Sequence, residues 1–186
     1  MKKDTRDLLL DSAFKEFYKS GFQGSNISSI LNEVGINKGS MYHFFKSKKE
    51  LGLSVIQERI KTKIVYKYTQ ILNFDMLFNT LIDAPNTLIY GCPLNKMSQE
   101  MIYIDEDFKK ALSLVYKEFE NSIKNILTTS IQNNEIYIND ITSTARLIIA
   151  TYEGALMIYH LNQDIKQYNQ ILDALKINLL NKKDNK

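Results

Sequence analysis

The sequence predicts an all-α protein of about nine helices. Only seven glycines and two prolines interrupt its 186 residues, and no Asn-Gly or Asp-Gly dipeptide marks a hairpin. Apolar residues recur at helical spacing along most of the chain. Hydrophobic residues make up 44% of the sequence, which is enough for one large domain, or for a small domain joined to a larger one.

The first 50 residues predict three short helices in close succession and the start of a fourth. A glycine or a good capping residue falls at each boundary. The predicted ends are Gly21 and Gly35, and the predicted N-caps are Asn26, Asn37 and Ser47. Ser47 and Glu50 form a capping box, so we expect the fourth helix to run from there toward Tyr66. Phe44 and Phe45 are expected to fasten the third helix to its neighbours, because it is too short to be stable alone.

Beyond residue 70 the apolar pattern predicts helices of varied length. They cover residues 75–83, Pro93 to Tyr103, 108–127, Asn139 or Asp140 to Leu161, and 165–179. The helix that ends at Leu161 is apolar around much of its girth, so it needs partners on more than one side. Together with the stripe over 108–127, it has more apolar surface than a small monomer buries, which predicts an obligate homodimer. The tail NKKDNK is expected to fray.

Positive charge is concentrated in the first quarter of the chain. The net charge is +3, and residues 1–52 contain nine Lys and Arg against six Asp and Glu. The other 134 residues are balanced, with 15 basic and 15 acidic side chains. Such asymmetry is typical of a segment that binds a polyanion, although a chance fluctuation of three charges explains it equally well.

Several classes of protein are excluded by what the sequence lacks. No stretch approaches the roughly 18 apolar residues of a membrane span, and no small-residue cleavage site follows the N-terminal segment, so we expect a soluble, cytoplasmic protein. The single cysteine, Cys92, excludes an internal disulfide and a cysteine-rich zinc site. Two histidines and one cysteine leave few ways to build a catalytic site, and the common catalytic and nucleotide-binding motifs are missing. We therefore expect no enzyme activity, no metal and no cofactor.

The second and third helices have the plan of a helix-turn-helix motif, in which a tight turn joins two short helices. Lys38, Ser40, Tyr42 and His43 face outward from the third helix, and Lys48 lies in the positive first turn of the fourth. Lysines, hydroxyl groups and helix N-termini are the groups that bind phosphate oxygens. The alternatives are a solvated polar face on a small helical domain, and a binding module whose helix-turn-helix no longer contacts DNA.

The segment GFQGSNISSILNEVGINKGSMYHFFKSKKEL, which ends at Leu51, closely resembles the DNA-binding signature of the TetR family of bacterial transcriptional regulators. The rest of the chain resembles the family in helix number, order and total length. The resemblance implies a helix-turn-helix DNA-binding domain over residues 1–50 and a larger ligand-binding and dimerisation domain over residues 51–186. It also implies a homodimeric repressor that binds a palindromic double-stranded DNA operator and is released by a small-molecule inducer.

The resemblance assigns DNA contacts to the positions that match the family's motif. They are Ser25, Asn26, Asn37, Lys38, Ser40, Met41, Tyr42, His43, Lys46 and Lys48. Tyr42 and Lys48 match positions that usually hold phosphates, whereas Asn37 and Met41 fall where base-reading or capping residues lie. Ser29 departs from the family, which usually has an acidic residue at this position of the second helix.

Aromatic and methionine side chains are frequent in the rest of the chain. The candidates for contact with an apolar or aromatic ligand are Tyr66, Phe78, Tyr90, Cys92, Met97, Met101, Tyr116, Tyr152 and His160. The alternative is that these side chains simply form the core.

Cys92 precedes Pro93 at a predicted helix start, where the partial positive charge favours a reactive thiolate. This segment resembles the NemR-like subgroup of TetR-type repressors, in which such a cysteine senses electrophiles. A buried cysteine with only a packing role is the alternative.

Overall fold

A computed structural model describes residues 4–180, and within this range the chain forms helices joined by turns, with no strand. The α-helices are α1 (Thr5–Ser20), α2 (Ile27–Val34), α3 (Lys38–Phe44), α4 (Lys48–Val55), α5 (Lys67–Thr69), α6 (Phe74–Ile82), α7 (Ala84–Thr87), α8 (Pro93–Met101), α9 (Glu106–Gln132), α10 (Ile141–Asn162) and α11 (Ile165–Leu180). The all-α prediction is therefore confirmed. None of these helices is long and apolar enough to cross a membrane. The NKKDNK tail lies outside the described residues.

The N-caps predicted for α2, α3 and α4 are confirmed. Each cap side chain accepts a hydrogen bond of 2.8 to 3.0 Å from a backbone N–H in the first turn of its helix. The caps are Asn26, Asn37 and Ser47. Glu50 reaches back one residue further than a standard capping box, because its carboxylate accepts from the Lys46 N–H at 2.7 Å. Of the two candidates before α10, Asp140 is the cap.

The fourth predicted helix continues beyond Tyr66 and changes its winding. The chain is helical from Lys48 to Thr69, with two π-helical segments, Ile56–Ile60 and Thr62–Tyr66, between α4 and α5. Adjacent residues of the first π segment pair with charged side chains of α1. These ion pairs are Arg6–Glu58, Arg59–Asp7 and Arg59–Asp11. Hydrophobic periodicity does not reveal such a change in winding, because the extra residue in a π turn leaves the helix otherwise continuous.

Only one of the two phenylalanines expected to fasten α3 does so. Phe45 is 1% exposed, whereas Phe44 is 40% exposed. Helix α3 ends at Phe44, and Phe45 is its C-cap in an extended conformation, so the two rings do not face the same core. Met41, which is buried, provides the second anchor of α3.

The chain forms two compact units, and neither is continuous in sequence. The first, called here the N-terminal unit, contains the residues up to Ile64 together with Pro93–Tyr116. Phe22 joins distant parts of its core, because its ring centroid lies 5.2 Å from that of Phe17 and 4.7 Å from that of Phe108. Gly52 leaves space for these rings. A Cβ atom at Gly52 would lie 2.6 Å from Phe22 Cε2 and 2.8 Å from Phe108 Cζ.

The second unit, called here the C-terminal unit, contains Val65–Cys92 and the residues from Lys117 onward. Helices α6, α10 and α11 contribute fully buried side chains to its core, including Phe78, Ile148 and Leu172. The Tyr168 hydroxyl group donates to Leu81 O at 2.6 Å and so links α11 to the end of α6.

Candidate nucleic-acid interface

The turn between α2 and α3 has the geometry that a helix-turn-helix motif requires. Gly35 adopts a left-handed conformation with φ of 75°, and its N–H donates to Leu31 O at 2.9 Å, which ends α2. Ser12 of α1 contacts α2 through its hydroxyl group. Its hydroxyl oxygen lies 2.7 Å from Glu33 Oε2 and 3.3 Å from Ile30 O. These contacts fix α2 against α1, so the turn and α3 start from a defined position.

The outer side of α3 presents polar and aromatic groups to solvent. The exposed members of the predicted DNA-binding set are Asn26, Asn37, Lys38, Tyr42, His43 and Lys46. Tyr42 has 46% of its surface exposed, and Lys38 Nζ lies 6.0 Å from the centroid of its ring. At this distance a cation–π attraction keeps the ammonium group beside the phenol. Ammonium and phenol groups both donate to phosphate oxygens, and a helix of this width fits the major groove.

Three members of the predicted set have side chains that contact other parts of the protein, and two of them, Ser25 and Met41, are buried. The Ser40 hydroxyl group is 3.1 Å from the capping oxygen of Asn37. Ser25 is buried, and its hydroxyl group donates to Phe22 O at 2.6 Å. Met41 packs in the core and presents no side chain to the exposed face. These three residues therefore stabilise the helix-turn-helix motif through contacts within the protein.

Lys48 lies beside the loop of residues 21–26 that joins α1 to α2. Its Nζ donates to Ser25 O at 2.8 Å and to Gln23 O at 3.4 Å, and it lies 5.0 Å from the centroid of the Phe22 ring. Burial lowers the pKa of Lys48, and nearby carboxylates oppose that shift. The ammonium group therefore ties α4 to the loop that precedes α2.

Two residues of α8 contact the same loop and the end of α1, and sequence reasoning assigned neither of them this role. Lys96 donates to backbone carbonyl groups of α1, and Glu100 accepts from backbone N–H groups of the loop. A Lys and a Glu four residues apart on a helix are usually interpreted as partners of each other. No pattern in the sequence indicates that Lys96 binds the end of α1 and that Glu100 binds the loop that follows it.

The predicted ligand contacts are divided between the two units. Met97, Met101 and Tyr116 belong to the N-terminal unit, and the two methionines are buried. The members in the C-terminal unit are Tyr66, Phe78, Tyr90, Cys92, Tyr152 and His160. Phe78, Cys92 and Tyr152 are buried there, whereas Tyr66 and Tyr90 are exposed.

The C-terminal unit contains a cluster of buried polar side chains. Tyr68 belongs to this cluster, and sequence reasoning also missed it. The hydroxyl groups of Tyr68 and Tyr152 are hydrogen-bonded. Burial raises the pKa of both phenols well above the ordinary value, and the proximity of Cys92 adds to the effect. His160 faces Gly91, the residue before Cys92, because a Cβ atom there would lie 3.8 Å from the His160 Cδ2. The His160 Nε2 is buried and has no hydrogen-bond partner among the described residues.

Two family models match the chain. The model of the bacterial regulatory proteins of the tetR family matches residues 9–55, and the model of the tetracyclin repressor-like C-terminal domain matches residues 77–175. The second match alone spans more than half of the sequence. The protein belongs to the TetR family. TetR-family proteins are DNA-binding transcriptional regulators and not enzymes, so membership confirms the interpretation of α2 and α3 as a DNA-binding motif.

Individual relatives support the same assignment. An uncharacterised HTH-type transcriptional regulator from the lacX 3′ region of Lactococcus lactis subsp. lactis is 28% identical over 184 residues, which cover 94% of this chain and 92% of the relative. The HTH-type transcriptional repressor NemR of Escherichia coli K12 is 27% identical over 127 residues, which cover 59% of this chain and 60% of NemR.

Solved structures share the fold. The crystal structure of the reduced form of E. coli NemR has a TM-score of 0.84 at 23% identity, and the match covers 95% of this chain and 97% of NemR. The crystal structure of FadR from Bacillus subtilis in complex with stearoyl-CoA has a TM-score of 0.68 at 17% identity, with coverage of 94% and 97%.

Proposed function

We propose that this TetR-family regulator is a homodimeric repressor that binds a palindromic operator and leaves it when a small molecule acts on the C-terminal unit. The observation that carries the proposal is the exposed face of α3. Lys38, Tyr42 and His43 project from a helix whose other side is held in the core by Met41 and Phe45. A firmly held helix with exposed basic and aromatic side chains is the form in which helix-turn-helix proteins enter the major groove.

Exposed apolar side chains on α10 and α11 support the homodimer. They are Leu147, Met157, Leu161, Ile165 and Ile177. The two helices pack against each other, so these side chains lie on adjacent elements. A second copy that covers both helices would remove this apolar surface from water and form an interface of roughly 2,000 Å² or more. A twofold dimer carries two copies of α3, so we expect operator half-sites about one helical turn apart or somewhat more.

Two modes of induction are compatible with the cluster of buried polar side chains around Tyr152. In the first, an apolar or aromatic ligand with one polar group binds reversibly and pairs with His160 Nε2, because a buried nitrogen without a partner gains most from a new hydrogen bond. In the second, an electrophile modifies Cys92, and the resemblance of the segment around Cys92 to the NemR-like subgroup supports this mode. The 4% exposure of Cys92 opposes it, since a reactive thiolate must be accessible.

Filter binding to fragments of the gene's own promoter, at low and high salt, tests the DNA-binding part of the proposal. A repressor with an operator retains a higher affinity for one fragment as the salt concentration rises, whereas purely electrostatic binding weakens on every fragment alike. Equal, weak binding to all fragments would contradict the proposed operator.

Treatment of the DNA complex with a quinone separates the two modes of induction. Release of the wild type, with Cys92→Ser still bound, identifies Cys92 as the sensor. Equal release of both proteins, or release of neither, assigns Cys92 a packing role and leaves a reversible ligand as the inducer.

A further inference from the structure

A lysine of α8 caps the end of α1. The Lys96 Nζ donates to Tyr18 O at 2.8 Å and to Lys19 O at 3.2 Å. Carbonyl groups in the last turn of a helix have no partner within that helix, and they carry the negative end of its dipole. An ammonium group is therefore favourably placed there, and Lys96 fixes where α1 ends relative to α8.

One helical turn further along α8, Glu100 holds the loop that follows α1. Its carboxylate accepts from the Phe22 N–H at 2.7 Å and from the Gln23 N–H at 2.5 Å. Gly21 permits this close approach, because a Cβ atom there would lie 2.9 Å from Glu100 Oε2. Hydrogen bonds to a charged carboxylate are among the stronger ones in proteins, so two successive peptide groups are fixed by one side chain.

The loop of residues 21–26 has no regular secondary structure, so contacts such as these determine its position. Glu100 binds its N–H groups from α8, and Lys48 binds its carbonyl groups from α4. Helix α2 begins directly after the loop, with Asn26 as its cap. A displacement of the loop therefore moves the start of α2 and, through the tight turn at Gly35, the position of α3.

Helix α8 begins at Pro93, directly after Cys92. A small gap lined by Phe14, Tyr18, Met97, Lys96 and Glu100 lies between α1 and α8. Beside it, Lys96 and Glu100 make the polar contacts of α8 with the end of α1 and the loop that follows it. Hydrogen bonds of this length are lost when donor and acceptor separate by about 1 Å. A small shift of α8 is therefore enough to release the loop.

We infer that Lys96 and Glu100, called here the α8 clamp, are positioning residues for DNA binding, because they fix the end of α1 and the loop that precedes α2. The inference rests on the proposed function, because it requires that α2 and α3 bind an operator. It assigns neither residue a contact with DNA.

The substitution Glu100→Gln tests the α8 clamp against a control of equal charge, Glu106→Gln. The glutamine at 100 keeps one acceptor oxygen and turns an NH₂ group toward the second backbone N–H. Both substitutions remove one negative charge, which by itself strengthens binding to DNA. We expect Glu100→Gln to lower the affinity about tenfold, and Glu106→Gln not to lower it, for a duplex selected by the wild type from random sequence.

Hydrogen–deuterium exchange provides a readout that does not depend on DNA. We expect the amides of Phe22 and Gln23 to exchange about tenfold faster in Glu100→Gln, with unchanged protection of α10 and α11. If Glu100→Gln loses protection from exchange throughout the chain, the substitution has disturbed the whole fold, and Lys96→Met is compared with Lys110→Met instead. We then expect Lys96→Met to lose DNA affinity about tenfold and Lys110→Met to keep it.

The possible failures are distinguishable. If the wild type selects no sequence, the proposed operator and the inference both fail. If the wild type selects a duplex and Glu100→Gln binds it as tightly as Glu106→Gln does, or if exchange at Phe22 and Gln23 is unchanged, the α8 clamp has no role in DNA binding and the proposed function stands.

Discussion

The surroundings of Lys38 and Lys48 differ in a way that should separate their roles. The Lys48 ammonium group donates to Ser25 O and Gln23 O, so at most part of its hydrogen-bonding capacity is available to a phosphate. Lys38 lies on the exposed face of α3, with its charge beside the Tyr42 ring. A lysine that contacts phosphate affects every DNA sequence alike, whereas a lysine that orients α2 also affects sequence preference.

We therefore expect Lys38→Ala to weaken binding to all duplexes by a similar factor. Removal of one phosphate contact should reduce the slope of log K against log salt by about one. The exposed Lys110 of α9 provides the control, and Lys110→Ala should leave the slope unchanged. Salt titrations of the three proteins by fluorescence anisotropy measure this. An unchanged slope in Lys38→Ala would remove Lys38 from the phosphate contacts.

A second expectation at the residue scale concerns Gly52. A methyl group there would overlap the rings of Phe22 and Phe108, so Gly52→Ala should destabilise the fold by about 1–3 kcal/mol. Gly154 lies inside α10, and among the described residues nothing beyond its own stretch of helix comes within 4 Å of an added Cβ atom. Gly154→Ala should therefore cost less than Gly52→Ala, although Gly154 shares with Leu147 and Leu161 the face of α10 that a second copy would cover. Urea unfolding of both variants gives the two values. Equal effects would contradict the steric argument.

Individual site residues could be predicted where local sequence determines exposure. The exposure of Lys38, Tyr42 and His43 on α3 was predicted correctly. Met41 was expected among the DNA contacts and Phe44 among the anchors of α3, whereas Met41 is buried and Phe44 is exposed. Lys96 and Glu100 could not be predicted, because their partners are backbone atoms 77 and 78 residues away. Because nearly every residue has the same backbone carbonyl and N–H groups, the sequence does not show which of them a distant side chain will bind.

At the scale of whole helices, the capping residues predicted the helix starts correctly, whereas the change from α-helical to π-helical winding could not be predicted. Asn26, Asn37 and Ser47 mark helix starts because a side-chain oxygen satisfies a local N–H group, and both partners lie within a few residues. The first π-helical segment after α4 makes ion pairs with residues of α1 that are about 50 positions away in the sequence. Tyr68 was missed because it lies just after the two π-helical segments, in which the 3.6-residue spacing used for the prediction does not hold.

The contact between α9 and α10 gives the C-terminal unit a dependence on pH. Glu120 is 7% exposed, and its carboxylate pairs with Lys124 and lies 3.1 Å from the Arg146 Nε. The hydrogen bond with Lys124 lowers the pKa of Glu120, burial opposes the shift, and Arg146 adds to the lowering. A depressed folded-state pKa contributes stability above the unfolded-state pKa of about 4.3, and this stability is lost as the pH falls through the folded-state value.

We expect Glu120→Gln to lower the free energy of unfolding at pH 7 by about 1–3 kcal/mol, because two cationic partners lose their carboxylate. The difference between the variant and the wild type should shrink as the pH falls below about 4, where the native carboxylate becomes protonated. Urea unfolding at several pH values measures the difference. A constant difference across this range would show that the carboxylate charge is not responsible.

For the whole molecule, the main expectation concerns assembly. Sedimentation equilibrium at micromolar concentration should give a mass about twice the 21.6 kDa of the chain. Met157→Lys together with Leu161→Lys should shift the mass toward the monomer, because each places a charge on the exposed apolar side of α10. A charge change on the exposed Lys110 of α9 serves as the control. A wild type that sediments as a monomer would exclude the dimer.

The discontinuous N-terminal unit sets a rule for building chimeric repressors. Its residues up to Ile64 are completed by Pro93–Tyr116, which contribute Glu100 and Phe108. Lys49 likewise pairs with Asp105 and Asp107 at 2.7 Å. A graft of the first 64 residues onto a foreign regulator would leave these partners behind, so a suitable host must already carry an acid, an aromatic ring and an acidic turn at the corresponding places. The exchangeable cassette of this protein is therefore two segments of chain, to be transplanted together.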